Sequence, residues 1–185
     1  MSQVAQLVKI IRSNQFVILD TETTGLERGE VVQIGVIDSN GQTLIDTLVK
    51  PCEPIPRSAT AIHGITDEMV ASAPTFADIL PKLQPMLTGT NVIVYNAVYD
   101  RRILHQSAEI AQLERVDWKT LSPWWCAMEA FAEIYGDWND YRHSYRWQKL
   151  TTAARYYGLD VVDAHSALGD CLMTLAVCRK MAEGI

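Results

Sequence analysis

Leu19-Asp20-Thr21-Glu22-Thr23-Thr24-Gly25-Leu26 sets two carboxylates two residues apart at the end of an apolar run. Residues at that spacing in a strand point to the same side, so Asp20 and Glu22 share a face. Adjacent carboxylates raise each other's pKa unless a cation intervenes. The pair is therefore a candidate cation site, although capping of the following turn accounts for it equally well. A third acid lies in Asn96-Ala-Val-Tyr-Asp100. At helical spacing Asp100 falls among Tyr99, Ile103, Leu104 and Ser107, whereas Arg101 and Arg102 face the other way. An inward-facing charge needs a partner or a metal. An acid interacting with a helix N-terminus would explain the position of Asp100 but not its facing. His165-Ser-Ala-Leu-Gly-Asp170 heads the last helical pattern. There the stripe of Leu168, Cys171, Leu172, Leu175 and Cys178 lies away from Asp170, yet Met173 and Val177 border it. The helical wheel leaves Asp170 undecided, and His165 alone reads as a residue flanking a helix start.

These residues need a sheet and helices to bring them together. Phe16-Val-Ile-Leu-Asp20 reads as a central strand buried on both faces. Val31 to Asp38 and Thr43 to Val49 flank Ser39-Asn-Gly-Gln42 as a β-hairpin. Three prolines in Pro51–Pro56 require a loop. Thr75-x-x-Asp78 resembles a capping box opening a helix, which Pro81 and Pro85 are expected to kink or shorten. Asn91-Val-Ile-Val-Tyr95 is a further strand running into a helix from about Ala97. Asp117 to Trp147 holds all five tryptophans and is expected to form a short strand, a helix and an irregular loop, with Asp137 to Arg146 as a mobile loop by its turn composition. Helices are predicted near Trp147 to Tyr157 and Ser166 to Met181.

Composition bounds the function class. The 185 residues are 48% hydrophobic with no membrane-length apolar run. Met1 to Gln15 shows no secretory pattern; instead Val4, Leu7, Val8 and Ile11 fall at the spacing of an amphipathic helix. Cys52, Cys126, Cys171 and Cys178 form no zinc-type spacing, and free thiols at 171 and 178 are expected to pack as small hydrophobes. The expectation is a reduced, cytoplasmic protein. A formal net charge of −6 argues against a grip on long duplex through many phosphates. It leaves room for a protein that holds one strand end through bound cations.

Taken together, D-x-E at a strand end, then N-x-x-x-D, then H-x-x-x-x-D resemble the three exonuclease motifs of the DEDDh (DnaQ-like) superfamily. The resemblance spans nearly the whole chain. Ala61-Ile-His-Gly-Ile-Thr66 resembles the family's loop motif, and Trp125-Cys-Ala-Met128 is similar to a segment of several members. The resemblance implies an α/β, ribonuclease H-like fold as a single exonuclease domain over residues 1–185. Its central mixed sheet would have about five strands, three antiparallel and the rest parallel, flanked by helices. It further implies that Asp20, Glu22, Asp100 and Asp170 hold two divalent cations, Mg²⁺ or Mn²⁺, with Asp20 bridging them. Such ions activate the attacking water and stabilise the leaving 3′-oxygen, and His165 is the implied general base. Backbone groups of the Thr21 to Thr23 segment would contact the terminal 3′-hydroxyl, and Leu26 would wedge against the terminal base. Ile62, His63, Asn96 and Tyr99 would complete the nucleotide pocket; ordinary core packing is the competing account of Leu26 and Ile62.

The implied reaction is 3′→5′ hydrolysis releasing nucleoside 5′-monophosphates. Single-stranded DNA is favoured over RNA, because the TTGL and AIHGIT segments look nearest to proofreading and exonuclease-ten-like members. An RNA-trimming exonuclease and a proofreading subunit bound to a DNA polymerase are the alternatives. The chain ends soon after the last helical pattern, which weighs against a tethered subunit. A repair partner and a homodimer, with Trp124, Trp125 and Trp138 as its apolar patch, are further expectations. The family often has His-Asn-Ala-x-Phe-Asp where this chain has Tyr95-Asn-Ala-Val-Tyr-Asp100: Tyr99 keeps an aromatic ring, and Tyr95 removes a titratable group.

Overall fold

The computed structural model describes residues 2–161 and 165–184. Ser2 accepts a hydrogen bond from the Ala5 N–H and starts α1 (Gln3–Ser13), whose Val4, Leu7, Val8 and Ile11 are buried. Phe16–Thr23 (β1) follows, then the antiparallel pair Val31–Asp38 (β2) and Thr43–Leu48 (β3). Short helices Arg57–His63 (α2) and Asp67–Val70 (α3) precede Phe76–Leu87 (α4), Asn91–Val94 (β4) and Ala97–Ile110 (α5). The remainder is Trp118–Leu121 (α6), Trp124–Cys126 (β5), Ala127–Tyr135 (α7), Trp138–Asn139 (β6), Ser144–Tyr145 (β7), Leu150–Tyr156 (α8) and Ala167–Glu183 (α9).

The five-stranded sheet has the order β3-β2-β1-β4-β5. β1, β2 and β3 pair antiparallel, whereas β4 and β5 run parallel to β1, the arrangement expected of a ribonuclease H-like fold. β1 is central, and its alternation feeds two cores. Phe16 and Ile18 pack with α1, α7, α8 and α9, while Val17 and Leu19 pack with α4, α5 and α6. Cys171 and Cys178 are buried and unpaired, as expected. Among the described residues no helix is long and apolar enough to cross a membrane.

Several elements differ from expectation. α4 has its capping box but is not cut short, running through both Pro81 and Pro85. Each interior proline costs about 3 kcal/mol. Here both rings are exposed, while Phe76, Ile79, Leu80, Leu83 and Leu87 anchor the opposite face. The AIHGIT segment is not all loop: Ala61 to His63 form the end of α2, closed by Gly64 at φ 74°. Asp137 to Arg146 is a small hairpin, with Trp138 edge-on to Tyr145 and Arg146 paired to Asp137 at 3.0 Å. α8 starts at Leu150 rather than near Trp147, because the Gln148 carbonyl accepts from the Tyr95 hydroxyl and Lys149 is extended. Trp124 and Trp125 are half-buried with their indole N–H groups bonded to Trp118 O and Asn91 Oδ1, which leaves Trp138 and Trp147 exposed.

Candidate active site

Strand alternation divides the end of β1 between two helices. Thr21 and Thr23 turn toward α5: Thr21 Oγ1 donates to Asp100 Oδ1 at 2.8 Å, and Thr23 Oγ1 lies 2.7 Å from the Tyr99 hydroxyl. The β1–β2 register shifts between Glu22 and Thr23, an irregularity of the kind that re-aims side chains beside active sites. α5 begins directly after the parallel strand β4, with the Asn96 side chain accepting from the Tyr99 N–H. Its first turn therefore carries Asp100 beneath the end of β1, where it is only 3% exposed. The inward facing read from the sequence holds.

The first turn of α9 supplies the fourth acid. A Cβ on Gly35 would stand 2.7 to 2.9 Å from Ala167 and Leu168 backbone atoms, so only glycine lets the helix approach β2 so closely. Gln33 Oε1 accepts from the Ala167 N–H, and Ser166 caps Gly169. Gly35 is the register partner of Asp20, so this contact sets α9 beside the acid. Single ligand atoms of Glu22, His165 and Asp170 come within 4.8 Å of one another. His165 is exposed and held at φ 70°, a conformation costing a non-glycine residue about 1–2 kcal/mol.

This crowding leaves an electrostatic mark. Burial first, then the charges of Asp100, Asp170 and Glu22, push the Asp20 carboxyl well above its usual range. Glu22 is pushed up to about 7 by burial, then by Asp170 and Asp100. Burial raises Asp100 against the opposing Thr21 hydrogen bond, and burial raises Asp170 against the charge and backbone of His165. Among the described residues the Lys and Arg ion pairs are Arg146–Asp137 and Lys180–Glu183, so neither type neutralises these four acids. An oxygen-rich cluster that no Lys or Arg neutralises fits a hard divalent cation.

Leu26 is 74% and Ile62 61% exposed, which rules out core packing for both. The Leu26 loop is braced from behind: Arg102 Nη2 donates to Leu26 O at 2.7 Å and Gln106 Nε2 to Glu27 O at 2.9 Å. Thr24 and Glu30 close it by exchanging hydrogen bonds of 2.9 Å. The His63 ring is committed within the protein. Nδ1 accepts from the Ile65 N–H, so Nε2 carries the proton and donates to Thr23 O at 3.2 Å. Burial and the nearby His165 lower its pKa against the bond to Thr23. Asn96 shares a cleft with His165, Asp170 and Trp147.

The exonuclease family pattern of RNase T type matches residues 17–178. The chain belongs to this family of exonucleases. It is 41% identical over 187 residues to the uncharacterized exonuclease CP81 of Escherichia phage 186, covering 98% of this chain and 95% of that protein. It is 30% identical over 167 residues to exodeoxyribonuclease 10 of Escherichia coli, covering 86% of this chain and 65% of that enzyme. The structure of exonuclease X in complex with 5′ overhanging duplex DNA superposes with a TM-score of 0.68 at 26% identity, covering 91% and 92% of the two chains.

For this DnaQ-like exonuclease, sequence reasoning passed over three supports of the site. Gly35 and Gln33 place α9, and buried Glu30 accepts from the Cys52 and Glu53 N–H groups to tie the Leu26 loop to the next segment. Gly35 in an apolar strand was the one visible signal, since an interior strand glycine often marks a close backbone approach. Tyr95 is buried and bonded to Gln148 O.

Proposed function

We propose that this chain is a metal-dependent 3′→5′ exonuclease, a single exonuclease domain over residues 1–185, acting preferably on single-stranded DNA to release nucleoside 5′-monophosphates. The observation that carries the reading is the acid cluster, which no Lys or Arg among the described residues neutralises and which has the exposed His165 beside Glu22 and Asp170. Asp20, Glu22, Asp100 and Asp170 are the residues to hold two divalent cations, Mg²⁺ or Mn²⁺, which when bound would lower the pKa of a water and offset charge on the phosphodiester. His165, beside Glu22 and Asp170, is placed to take the proton of that water as general base. Its exposure keeps it in contact with solvent, to which the proton is passed on. Thr21 hydrogen-bonds the buried Asp100 and fixes its orientation.

At the strand end, backbone groups of Thr21 to Thr23 meet the 3′-hydroxyl, and Leu26 and Ile62 contact the terminal base without regard to its identity. Tyr99 and Asn96 shape the pocket floor. His63 would meet the nucleotide through its ring rather than its nitrogens, which are both occupied, one of them by the Thr23 carbonyl.

Oligonucleotides of one sequence, labelled at the 5′ or the 3′ end and made as DNA or RNA, test the reading. A descending ladder from the 5′ label, immediate mononucleotide release from the 3′ label and faster trimming of DNA support it. Release of 5′-labelled mononucleotide at the outset would reverse the direction. A faster RNA ladder would make the chain an RNA-trimming enzyme.

A further inference from the structure

The β6–β7 hairpin and the tryptophan that follows it have no part in the chemistry above. Trp147 is 64% exposed, although the chain on either side of it is pinned. The Arg146 N–H donates to Asp137 O at 2.8 Å, and the Arg146 guanidinium donates to Asp137 Oδ1 at 3.0 Å. On the other side the Gln148 carbonyl accepts from the Tyr95 hydroxyl at 2.8 Å, and Gln148 Nε2 donates to Arg146 O at 3.2 Å. A fixed backbone that keeps a large ring in solvent forgoes the gain from burying it.

Trp147 lies in the wall of two clefts. One, of about 490 Å³, also has Asn96, His165 and Asp170 in its wall. Leu26, Ile62 and Tyr99 do not line it, so apart from Asn96 it is a space distinct from the one assigned to the terminal base. The other, of about 730 Å³, is lined by Trp138 and Tyr145 of the hairpin together with Arg142 and Arg146. Both hairpin rings keep exposed surface although they meet edge-on. Glu129 and Glu133 also line this second cleft and balance its two arginines. The Glu133 carboxylate is engaged by the N–H groups of Gln3 and Val4. Rings in a cleft of balanced charge suit the flat faces of bases better than a run of phosphates. Another protein surface could also cover such rings, but the side chain shared with the cleft of His165 and Asp170 favours the strand engaged there.

We propose that Trp147 and the rings of the β6–β7 hairpin stack the bases that precede the terminal nucleotide of the strand being trimmed. The enzyme then favours strands several nucleotides long over the shortest fragments. This deepens the exonuclease reading and rests on it.

Binding measured apart from cleavage tests the proposal. Two single strands of about ten nucleotides, each with a non-hydrolysable 3′ linkage, compete with a labelled strand for the protein. One is intact, and the other keeps its terminal nucleotide but is abasic upstream. The wild type should bind the intact strand about tenfold more tightly. Trp147→Ala, which removes an exposed ring and should melt as the wild type does, should lose that difference, whereas Trp147→Phe keeps a ring and should retain most of it. Equal binding of the two strands by the wild type, or an undiminished difference in Trp147→Ala, would overturn the proposal. So would equal weakening of both strands in the Ala and Phe variants alike, which would leave Trp147 a support of the cleft wall. A wild-type dimer in sedimentation that Trp147→Ala abolishes would assign the ring to a second copy and overturn it too. Failure of the exonuclease reading would show separately, as absence of single-strand trimming by the unmodified protein.

Discussion

Gly35→Ala should disable the enzyme without touching any residue that meets metal or substrate. The added Cβ would lie 2.7 Å from the Ala167 carbonyl carbon, where ordinary contact begins at 3.4 Å. The start of α9 must therefore retreat by about 0.7 Å, because the obstructing atoms are backbone and cannot rotate aside. His165 and Asp170 travel with it, while Asp20 and Glu22 stay on β1. A misplacement of about 1 Å in a reacting constellation costs about 100-fold, so a retreat of this size should cost roughly 10- to 100-fold. Overpacking should also lower stability by about 1–3 kcal/mol. Single-turnover trimming of a labelled single strand gives the first quantity and thermal melting the second. Cleavage should slow, while apparent affinity for the strand, set by Leu26 and Ile62, changes little. Wild-type cleavage by a folded Gly35→Ala protein would refute the claim that this contact sets the site.

Leu26→Ala should leave the melting temperature unchanged, since the side chain is 74% exposed, yet weaken capture of the strand end roughly tenfold, about 1.4 kcal/mol. A destabilised protein with unchanged KM would return Leu26 to a packing role. In EDTA, stability should fall as pH rises from about 5 to about 8. Glu22, pushed up to about 7 from 4.5, holds its proton more tightly folded than unfolded, so the penalty is absent below about 4.5 and complete above about 7. For Glu22 alone it approaches about 3 kcal/mol. Asp20, Asp100 and Asp170 add in the same direction, while the lowered pKa of His63 opposes them as a single group. Mg²⁺ or Mn²⁺ should raise the melting temperature more at about pH 8 than at about pH 5; a metal-free melting temperature that climbs over this range would contradict the crowding of acids. Thr21→Val removes the donor to the buried Asp100. It should cost about 1–3 kcal/mol of stability in metal-free protein above neutral pH, and less when the acid is protonated, as melts at the two pH values would show.

The site was more legible than its supports. Asp20, Glu22 and Asp100 could be read because strand and helix periodicity reports facing directly, and the structure keeps those facings. Asp170 could not, because Leu168, Gly169 and Asp170 in the first turn of α9 are all half-buried, neither core nor open solvent. Periodicity is also silent on the approach of Gly35 to Ala167, a contact between segments far apart in sequence. Helix propensity did not foresee the full length of α4, where apolar anchoring on one face outweighs two exposed prolines on the other. The hairpin of β6 and β7 was hidden because its strands are two residues each, too short to show alternation.

The central claim is that the four acids act by holding divalent cations for strand-end hydrolysis. Trimming of a 5′-labelled single strand should be measured for the wild type and Asp20→Asn, after EDTA treatment and again after adding Mg²⁺ or Mn²⁺. Wild type that is silent in EDTA and restored by either ion, beside an Asp20→Asn protein that stays folded, melts no lower than wild type in EDTA and never cleaves, is the predicted result. Steady trimming in EDTA, or by the Asp20→Asn protein, would contradict it.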